Sequence, residues 1–335
     1  MHEHYDIDLS LSRNPLGCSR LVQEKVDLKK VDVSKYPESE ELIKAISSHF
    51  SVPKESIVIE GGIDGLINFL PQVFLNKGDK VLMAKTTFPR FKMATKAFGG
   101  KPVFVPLKNM RLDCKVMMEK VLSVKPKMIF IANPNNPTGL IEDKNQIIEL
   151  IKRVKSLVVV DEAGIDLAGE EHSLISRVVD FKNLIVLRGF SKGYGLSGLR
   201  IGFCVASPEI IARFSPKRLT FPVTSIAIKA AATALSDQKH LKKTRELFQK
   251  EGKFFRQELE RMGFEVLPPE SNLIFAKVPS CFSSASEFIK ELHKQNIHCV
   301  DGGHFGLPMF IRINPSVRKI NSKFIMATEK ILKRQ

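Results

Sequence analysis

Between residues 57 and 205, short β-rich apolar runs alternate with amphipathic segments, and this alternation limits the possible folds more than any other feature of the chain. The runs lie at 57–60, 80–84, 101–105, 128–132, 157–161, 184–188 and 201–205. Segments between them, such as 65–75, 91–98, 144–155 and 173–179, repeat apolar residues at three- and four-residue steps, the period of a helix with one buried face. Strands alternating with helices pair side by side when each crossover covers a face of the sheet, so an α/β core with a largely parallel sheet is expected. Beyond about residue 208 the pattern changes. Helical stretches at 222–236 and 238–262 precede strand patterns at 264–267 and 273–277, a helix at 284–295, short strands near 297–300 and 310–313, and a closing helix from Ile320. This predicts a smaller α+β unit beside the first, as a length of 335 residues also suggests. The expected division is an N-terminal arm with part of the small unit at 1–35, the large unit at 36–235 and the small unit at 236–335.

The formal net charge of +16 raises the question of a nucleic-acid partner. The basic stretch 239–253, however, interleaves Lys and Arg with Glu246 and Glu251 at helical spacing, the pattern of a solvated helix face, so no nucleic acid is expected. Cys18, Cys114, Cys204, Cys281 and Cys299 form no Cys-x-x-Cys pair, which predicts reduced thiols and no zinc site. His2 and His4 stand on a terminus expected to be mobile, and His49, His172, His240, His293, His298 and His304 show no paired ligand spacing, so no metal is expected. The opening Met-His-Glu-His-Tyr-Asp lacks the basic start and apolar run of an export signal, and no apolar run approaches the ~18 residues of a membrane span. A cytoplasmic protein without membrane contact is expected.

In open parallel sheets, ligands bind beyond the carboxyl ends of the strands. Four polar stretches follow strand runs directly: Gly61-Gly62-Ile63-Asp64, Asn133-Pro134-Asn135-Asn136-Pro137-Thr138-Gly139, Asp161-Glu162-Ala163 and Gly189-Phe190-Ser191-Lys192-Gly193. Each alone has a structural explanation as a turn, a cap or loop punctuation. Together they supply what a pyridine ring bearing an aldehyde and a phosphate requires. Lys192 can form an imine with the aldehyde. Asp161, at the end of an apolar strand, can keep the pyridine nitrogen protonated, and Asn136 can donate to the ring oxygen. Gly62, Ile63 and Asp64 at a helix start, with Ser191 and Arg200, can hold the phosphate. Phe88, in preference to Phe91, can stack on the ring, although core packing explains either phenylalanine equally well.

At these residues the sequence resembles the class I/II aminotransferases of pyridoxal-phosphate fold type I. It is most similar to the histidinol-phosphate aminotransferase branch and its threonine-phosphate decarboxylase relatives. The resemblance runs from Asn14-Pro15-Leu16-Gly17 through Tyr36-Pro37, Gly62-Ile63-Asp64, Asn136-Pro137-Thr138-Gly139, Asp161-Glu162-Ala163 and Ser191-Lys192 to Gly198-Leu199-Arg200-Ile201-Gly202, Gly306-Leu307-Pro308 and Arg312-Ile313. It implies a mostly parallel sheet of the seven-stranded type between helices, and pyridoxal 5′-phosphate held as a Schiff base on Lys192. Asp161 would pair with the ring nitrogen, Asn136 with the ring oxygen, and Gly62, Ile63, Asp64, Ser191 and Arg200 with the phosphate. Asn14 and Arg312 would bind substrate, Arg312 through a bidentate grip on an anionic group. Tyr36 would reach the phosphate of the neighbouring subunit in a homodimer with shared active sites. The implied reaction is ping-pong transfer of an amino group from an amino acid or amino-alcohol phosphate to a 2-oxo acid, with Lys192 as general base. A decarboxylase acting on the same kind of site is the alternative, and a non-catalytic protein of this fold binding nucleic acid through its basic surface is the alternative of another class. The chain departs from the family pattern at Gly164, where an aromatic residue is usual, and at Val300, opposite a second phosphate-binding arginine. It departs also at Gly189, in place of a hydroxyl residue, and at Gly65, in place of an acid.

Overall fold

The structure, a computed structural model, describes residues 5–334 apart from 28, 30 and 33. His2 and His4 lie outside the described residues. The chain opens with β1 (Ile7–Asp8), α1 (Arg20–Lys25) and α2 (Glu40–Phe50). The large unit then runs β2 (Ile57–Glu60), α3 (Gly62–Phe74), β3 (Lys80–Ala84), α4 (Pro89–Ala97), β4 (Lys101–Val105), a small hairpin β5 (Leu107–Lys108) and β6 (Arg111–Leu112), and α5 (Cys114–Val124). It continues with β7 (Met128–Ala132), α6 (Lys144–Arg153), β8 (Leu157–Asp161), α7 (Ile165–Ala168), β9 (Leu184–Gly189), β10 (Gly202–Ala206), α8 (Pro208–Ile211) and α9 (Ser225–Ser236).

Seven strands form one sheet in the order β2-β10-β9-β8-β7-β3-β4. From β4 to β9 all pairings are parallel. Strand β10 is antiparallel to both β9 and β2, so β2 points the same way as β9. The loop 190–201 that joins β9 to β10 holds only a 3-10 turn and no α-helix to cross the sheet, and the strand returns directly. Gly202 thereby pairs with Gly189 on one side and Glu60 on the other, bringing the end of β2, the start of β10 and the end of β9 to one edge of the sheet.

Strands β7 to β10 are buried along nearly their whole length because both faces are covered. Val158, Val160 and Val186 pack with Ile147, Ile151 and Ala231 on one face, while Val159, Ile185 and Leu187 pack with Leu66, Ile67 and Leu70 on the other. The small unit contains α10 (Gln238–Arg261), β11 (Glu265–Val266), β12 (Ile274–Lys277), α11 (Ala285–His293), β13 (Ile297–His298), β14 (Val300–Asp301), β15 (Phe310–Ile313) and α12 (Arg318–Leu332). Its antiparallel sheet has the order β11-β12-β15-β14, and β1 pairs in parallel with β13, so the N-terminal arm joins the C-terminal core. Helix α10 serves both cores: Leu241 and Phe248 pack in the large unit, Phe255 and Leu259 in the small one.

Two local expectations change. The helix expected at 173–179 is a 3-10 segment, Ile175–Asp180, because Ser173 Oγ and the Leu174 N–H are tied to the buried Glu162 carboxylate at 2.5 and 2.6 Å. Helices α1, α2 and α5 and the β5–β6 hairpin are additions to the elements expected from the sequence.

Candidate active site

Along the edge where the parallel strands end, Ala132, Asp161 and Leu187 stand in register on β7, β8 and β9. A cavity of about 370 Å³ opens above them, and Lys192 and Asp161 both line it. Loop 190–196 turns tightly there, the Leu196 N–H donating to Phe190 O at 2.9 Å. Phe190 and Tyr194 are buried in the core, which leaves Ser191 and Lys192 facing the cavity.

Burial holds the Lys192 ammonium below the ordinary lysine value, with the Arg312 charge acting in the same direction and Asp161 and Asp166 opposing it. Burial also raises the Asp161 carboxyl to about 6, against the pull of Lys192 and of the Ala163 N–H, which donates to Oδ1 at 3.0 Å. Arg312 extends from β15 into the same cavity; its Nη1 donates to Asn136 Oδ1 at 2.8 Å and its Nη2 to Ser10 O at 2.6 Å. Because Arg312 takes the Asn136 oxygen, the amide nitrogen is the group Asn136 has left to offer a ligand. Burial lowers Arg312 to about 10, and its buried Nε has no partner among the described residues.

The start of α3 also borders the cavity, through Ile63 and Asp64. Its N-cap is Gly61, which has no side chain to occupy the first-turn N–H groups, so these remain available to an anion. Gly62 has φ +79°, and a Cβ there would stand 3.0 Å from Arg200 Nη2. Arg200 donates to Ser197 O at 2.9 Å and faces Asp64 at 3.8 Å, while Arg90 faces the other Asp64 oxygen at 3.7 Å. The Asp64 carboxylate is thus turned to arginines and leaves its backbone N–H to the cavity end. Phe88 lines the cavity, whereas Phe91 is buried and stacks on Phe130 with centroids 4.6 Å apart. The arrangement fits a flat ring with an aldehyde and a phosphate: a lysine amine, a buried acid, an amide donor, an aromatic face and a bare helix start open on one space.

Three expected residues stand elsewhere or gain a different setting. The Asn14 amide donates to Gly193 O at 3.0 Å and Thr244 Oγ1 at 3.1 Å, and its oxygen accepts from the Leu16 N–H, so the side chain is spent on the loop beneath Lys192 and does not line the cavity. Tyr36 is 76% exposed, stacks on Phe221 and also lies outside the cavity lining. Val300 pairs directly with Arg312 across β14 and β15, next to the cavity without a charge to offer. At Gly189 a Cβ would come 3.2 Å from Ile63 Cδ1, and at Gly164 it would come 3.2 Å from Asn272 Oδ1 and 3.7 Å from Lys192 Nζ.

Residues 10–13 of the arm line the mouth, with Arg13 among them, and Ser197 lines the phosphate end; the motifs did not single these out. Also unexpected is a buried cluster behind the site in which Arg188 pairs with Glu162, Asp166 and Glu170 at 3.3, 3.2 and 2.6 Å. An arginine inside the apolar run of β9 was its only trace in the sequence.

Among the described residues no group of three His, Cys, Asp or Glu side chains could hold a metal, and no helix is long and apolar enough to cross a membrane. Residues 6–322 match the family model described as aminotransferase class I and II. A histidinol-phosphate aminotransferase of Caldicellulosiruptor saccharolyticus is 35% identical over 332 residues, covering 97% of this chain and 92% of that protein. One from Moorella thermoacetica is 32% identical over 333 residues, covering 97% and 85%. In fold, the chain is similar to the crystal structure of histidinol-phosphate aminotransferase from Sinorhizobium meliloti in complex with pyridoxal-5′-phosphate, with TM-score 0.91, 24% identity and coverage of 98% of this chain and 91% of that one. The chain belongs to the class I and II aminotransferases, and it is an enzyme that works with pyridoxal 5′-phosphate.

Proposed function

We propose that the chain moves an amino group between a 2-oxo acid and a primary amine that carries an anionic group, either an amino acid or an amino-alcohol phosphate of the histidinol-phosphate kind. One juxtaposition carries this: Lys192 and Asp161 line a single cavity that Ile63 and Asp64 from the start of α3 and Arg312 from β15 also line. The relatives' activity on an amino-alcohol phosphate supports the choice of donor. When bound, pyridoxal 5′-phosphate supplies an aldehyde that condenses with amines and a ring that draws electrons from the donor's Cα.

The chain's own groups do the rest. Lys192 anchors the cofactor and, once the donor amine takes its place, its neutral Nζ accepts the proton from Cα; burial favours that neutral form. Asp161 holds the positive charge at the ring nitrogen. The Asn136 amide would donate to the ring oxygen, and Phe88, which lines the cavity, would offer an apolar face to the ring. Gly62, Ile63 and Asp64 offer backbone N–H groups to the phosphate, with Ser191 and Arg200. Arg312 grips the donor's anionic group in exchange for its present partners, Asn136 and Ser10. Arg13 at the rim adds a second cation near the mouth, the role that Val300 leaves vacant. The working unit is a homodimer in which Tyr36 reaches the partner's cofactor phosphate. All five cysteines are free, which suits a reducing cytoplasm.

The test is a half-reaction screen. Holoenzyme mixed with histidinol phosphate or candidate amino acids should show its visible absorption converted to that of the amine form of the cofactor. Lys192→Ala should slow this by about a thousandfold or more. Release of carbon dioxide without the amine form would replace transamination by decarboxylation, and no spectral response to any donor would sink the proposal.

A further inference from the structure

Arg188 is among the largest fully buried side chains, and it lies one residue before the end of β9, where the chain leaves for Lys192. Three acids surround it, Glu162, Asp166 and Glu170, and burial raises the first two, to about 7 and about 6. In two of them both carboxyl oxygens have partners. Glu162 follows Asp161 directly and also accepts from Ser173 and Leu174. Glu170 takes both Arg188 nitrogens, at 3.1 and 2.6 Å, and is partly exposed.

Asp166 is different. It is fully buried, its Oδ1 accepts from Arg188 Nη2 at 3.2 Å, and its Oδ2 has no hydrogen-bond partner among the described residues. That free oxygen lies 2.6 Å from where a Cβ on Gly193 would stand, so it rests against the backbone that directly follows Lys192. The Asn14 amide holds the same residue's carbonyl at 3.0 Å, and Arg245 fixes the Asp166 backbone oxygen at 3.0 and 2.7 Å, so neither side of the contact can drift away. A buried carboxylate oxygen without a donor is costly, and a structure that needed Arg188 neutralised could have used a fully paired acid.

We propose that Asp166 is a positioning residue for Lys192: from beneath the Gly193 backbone, its carboxylate supplies negative charge that keeps the lysine ionisable at the floor of the cavity. This rests on the assignment of Lys192 as the reactive amine. The groups facing the lysine are Asp161 from β8, Arg312 from β15 and Asp166 from α7. Those facing Asp166 are Arg188 from β9, Glu170 from the turn after α7, Tyr194 from the loop after β9, and Lys192 itself. Burial and Arg312 favour the neutral amine, and Asp161 and Asp166 favour the ammonium. With Asp161 committed to the cofactor ring, Asp166 is the other negative charge acting on the lysine.

The test is Asp166→Asn, nearly isosteric and uncharged, in the cofactor-free full chain. Lys192 is labelled with acetic anhydride across pH, and the labelled peptide is quantified by mass spectrometry. Loss of the charge should favour the reactive neutral amine, so labelling at pH 7 should quicken about threefold or more and converge with wild type at high pH, where lysine is neutral in both. Asp166→Glu, which keeps the charge, should restore the wild-type profile. Equal acceleration at every pH would mean a loosened loop only, and an unchanged profile would mean that Asp166 does not act on the lysine; either overturns the proposal. Should Asp166→Asn not fold, Asp166→Ser takes its place under the same criteria. Because labelling needs no cofactor, its outcome is separate from the spectral screen that tests the aminotransferase assignment.

Discussion

A carboxyl group sealed at the end of β8 is costly to ionise, and Asp161 has only the Ala163 N–H and the charge of Lys192 to offset that cost. Burial raises it to about 6, from an ordinary value near 3.8. An acid whose folded-state value is raised binds its proton more tightly in the folded chain, so its contribution is most favourable below about 3.8, weakens as the pH climbs through about 6, and is flat above. At pH 8 the cofactor-free chain therefore bears the full cost. Asp161→Asn should raise the melting temperature of the cofactor-free chain at pH 8 by a few degrees, and the gain should shrink towards pH 4. The same substitution should lower turnover by about a hundredfold or more, because the ring nitrogen loses its counter-charge. Paired melting curves at the two pH values check this, and a difference equal at both would show that titration of this acid is not the cause. Stability is sacrificed here for chemistry, as at many active sites.

At the scale of elements, the start of α3 shows what the sequence could and could not disclose. The strands were legible because burial on both faces makes each a continuous apolar run, and the residues just beyond them had to include the site. Gly61-Gly62 announced a turn, and the helix start was expected three residues late because bare glycines carry no apolar signal. The antiparallel return of β10 was hidden, since an apolar run does not state its direction. The Arg188 cluster was hidden for another reason: its acids lie 18 to 26 residues before the arginine, and only folding brings β8, α7 and β9 to the same place. Helix α2, with Leu42, Ile46 and Phe50 buried at four-residue spacing, could have been read from its pattern. Gly62 itself has a positive φ and faces Arg200, so Gly62→Ala both strains the backbone and displaces the guanidinium. Cofactor affinity should fall about tenfold or more while the far-ultraviolet spectrum stays unchanged, as measured by titrating the apo chain with pyridoxal 5′-phosphate. An unchanged affinity would remove the start of α3 from the phosphate site.

For the whole molecule, Tyr36 decides whether one chain makes a complete site. Within a single chain it stacks on Phe221 at 4.3 Å, is 76% exposed and lies outside the cavity lining. Leu219 and Phe221 add apolar surface to the same region, 72% and 47% exposed, which is unusual for a free surface and ordinary for one that meets a second copy. If Tyr36 serves the partner's cofactor, its defect and that of Lys192 lie in different chains of the same site, and the two can complement each other. A dimer formed from one Lys192→Ala chain and one Tyr36→Ala chain has one site with both residues intact and one site with neither. Random reassortment of an equal mixture puts half the chains in mixed dimers, so activity at limiting cofactor should recover to about a quarter of wild type. Lys192→Ala alone should remain inactive. Unfolding and refolding the two variants together, with sedimentation to confirm dimers, gives the measurement. Activity no greater than the average of the separately refolded variants, in a sample shown to be dimeric, would place Tyr36 in the service of its own chain and leave the exposed patch without a catalytic reason to meet a partner.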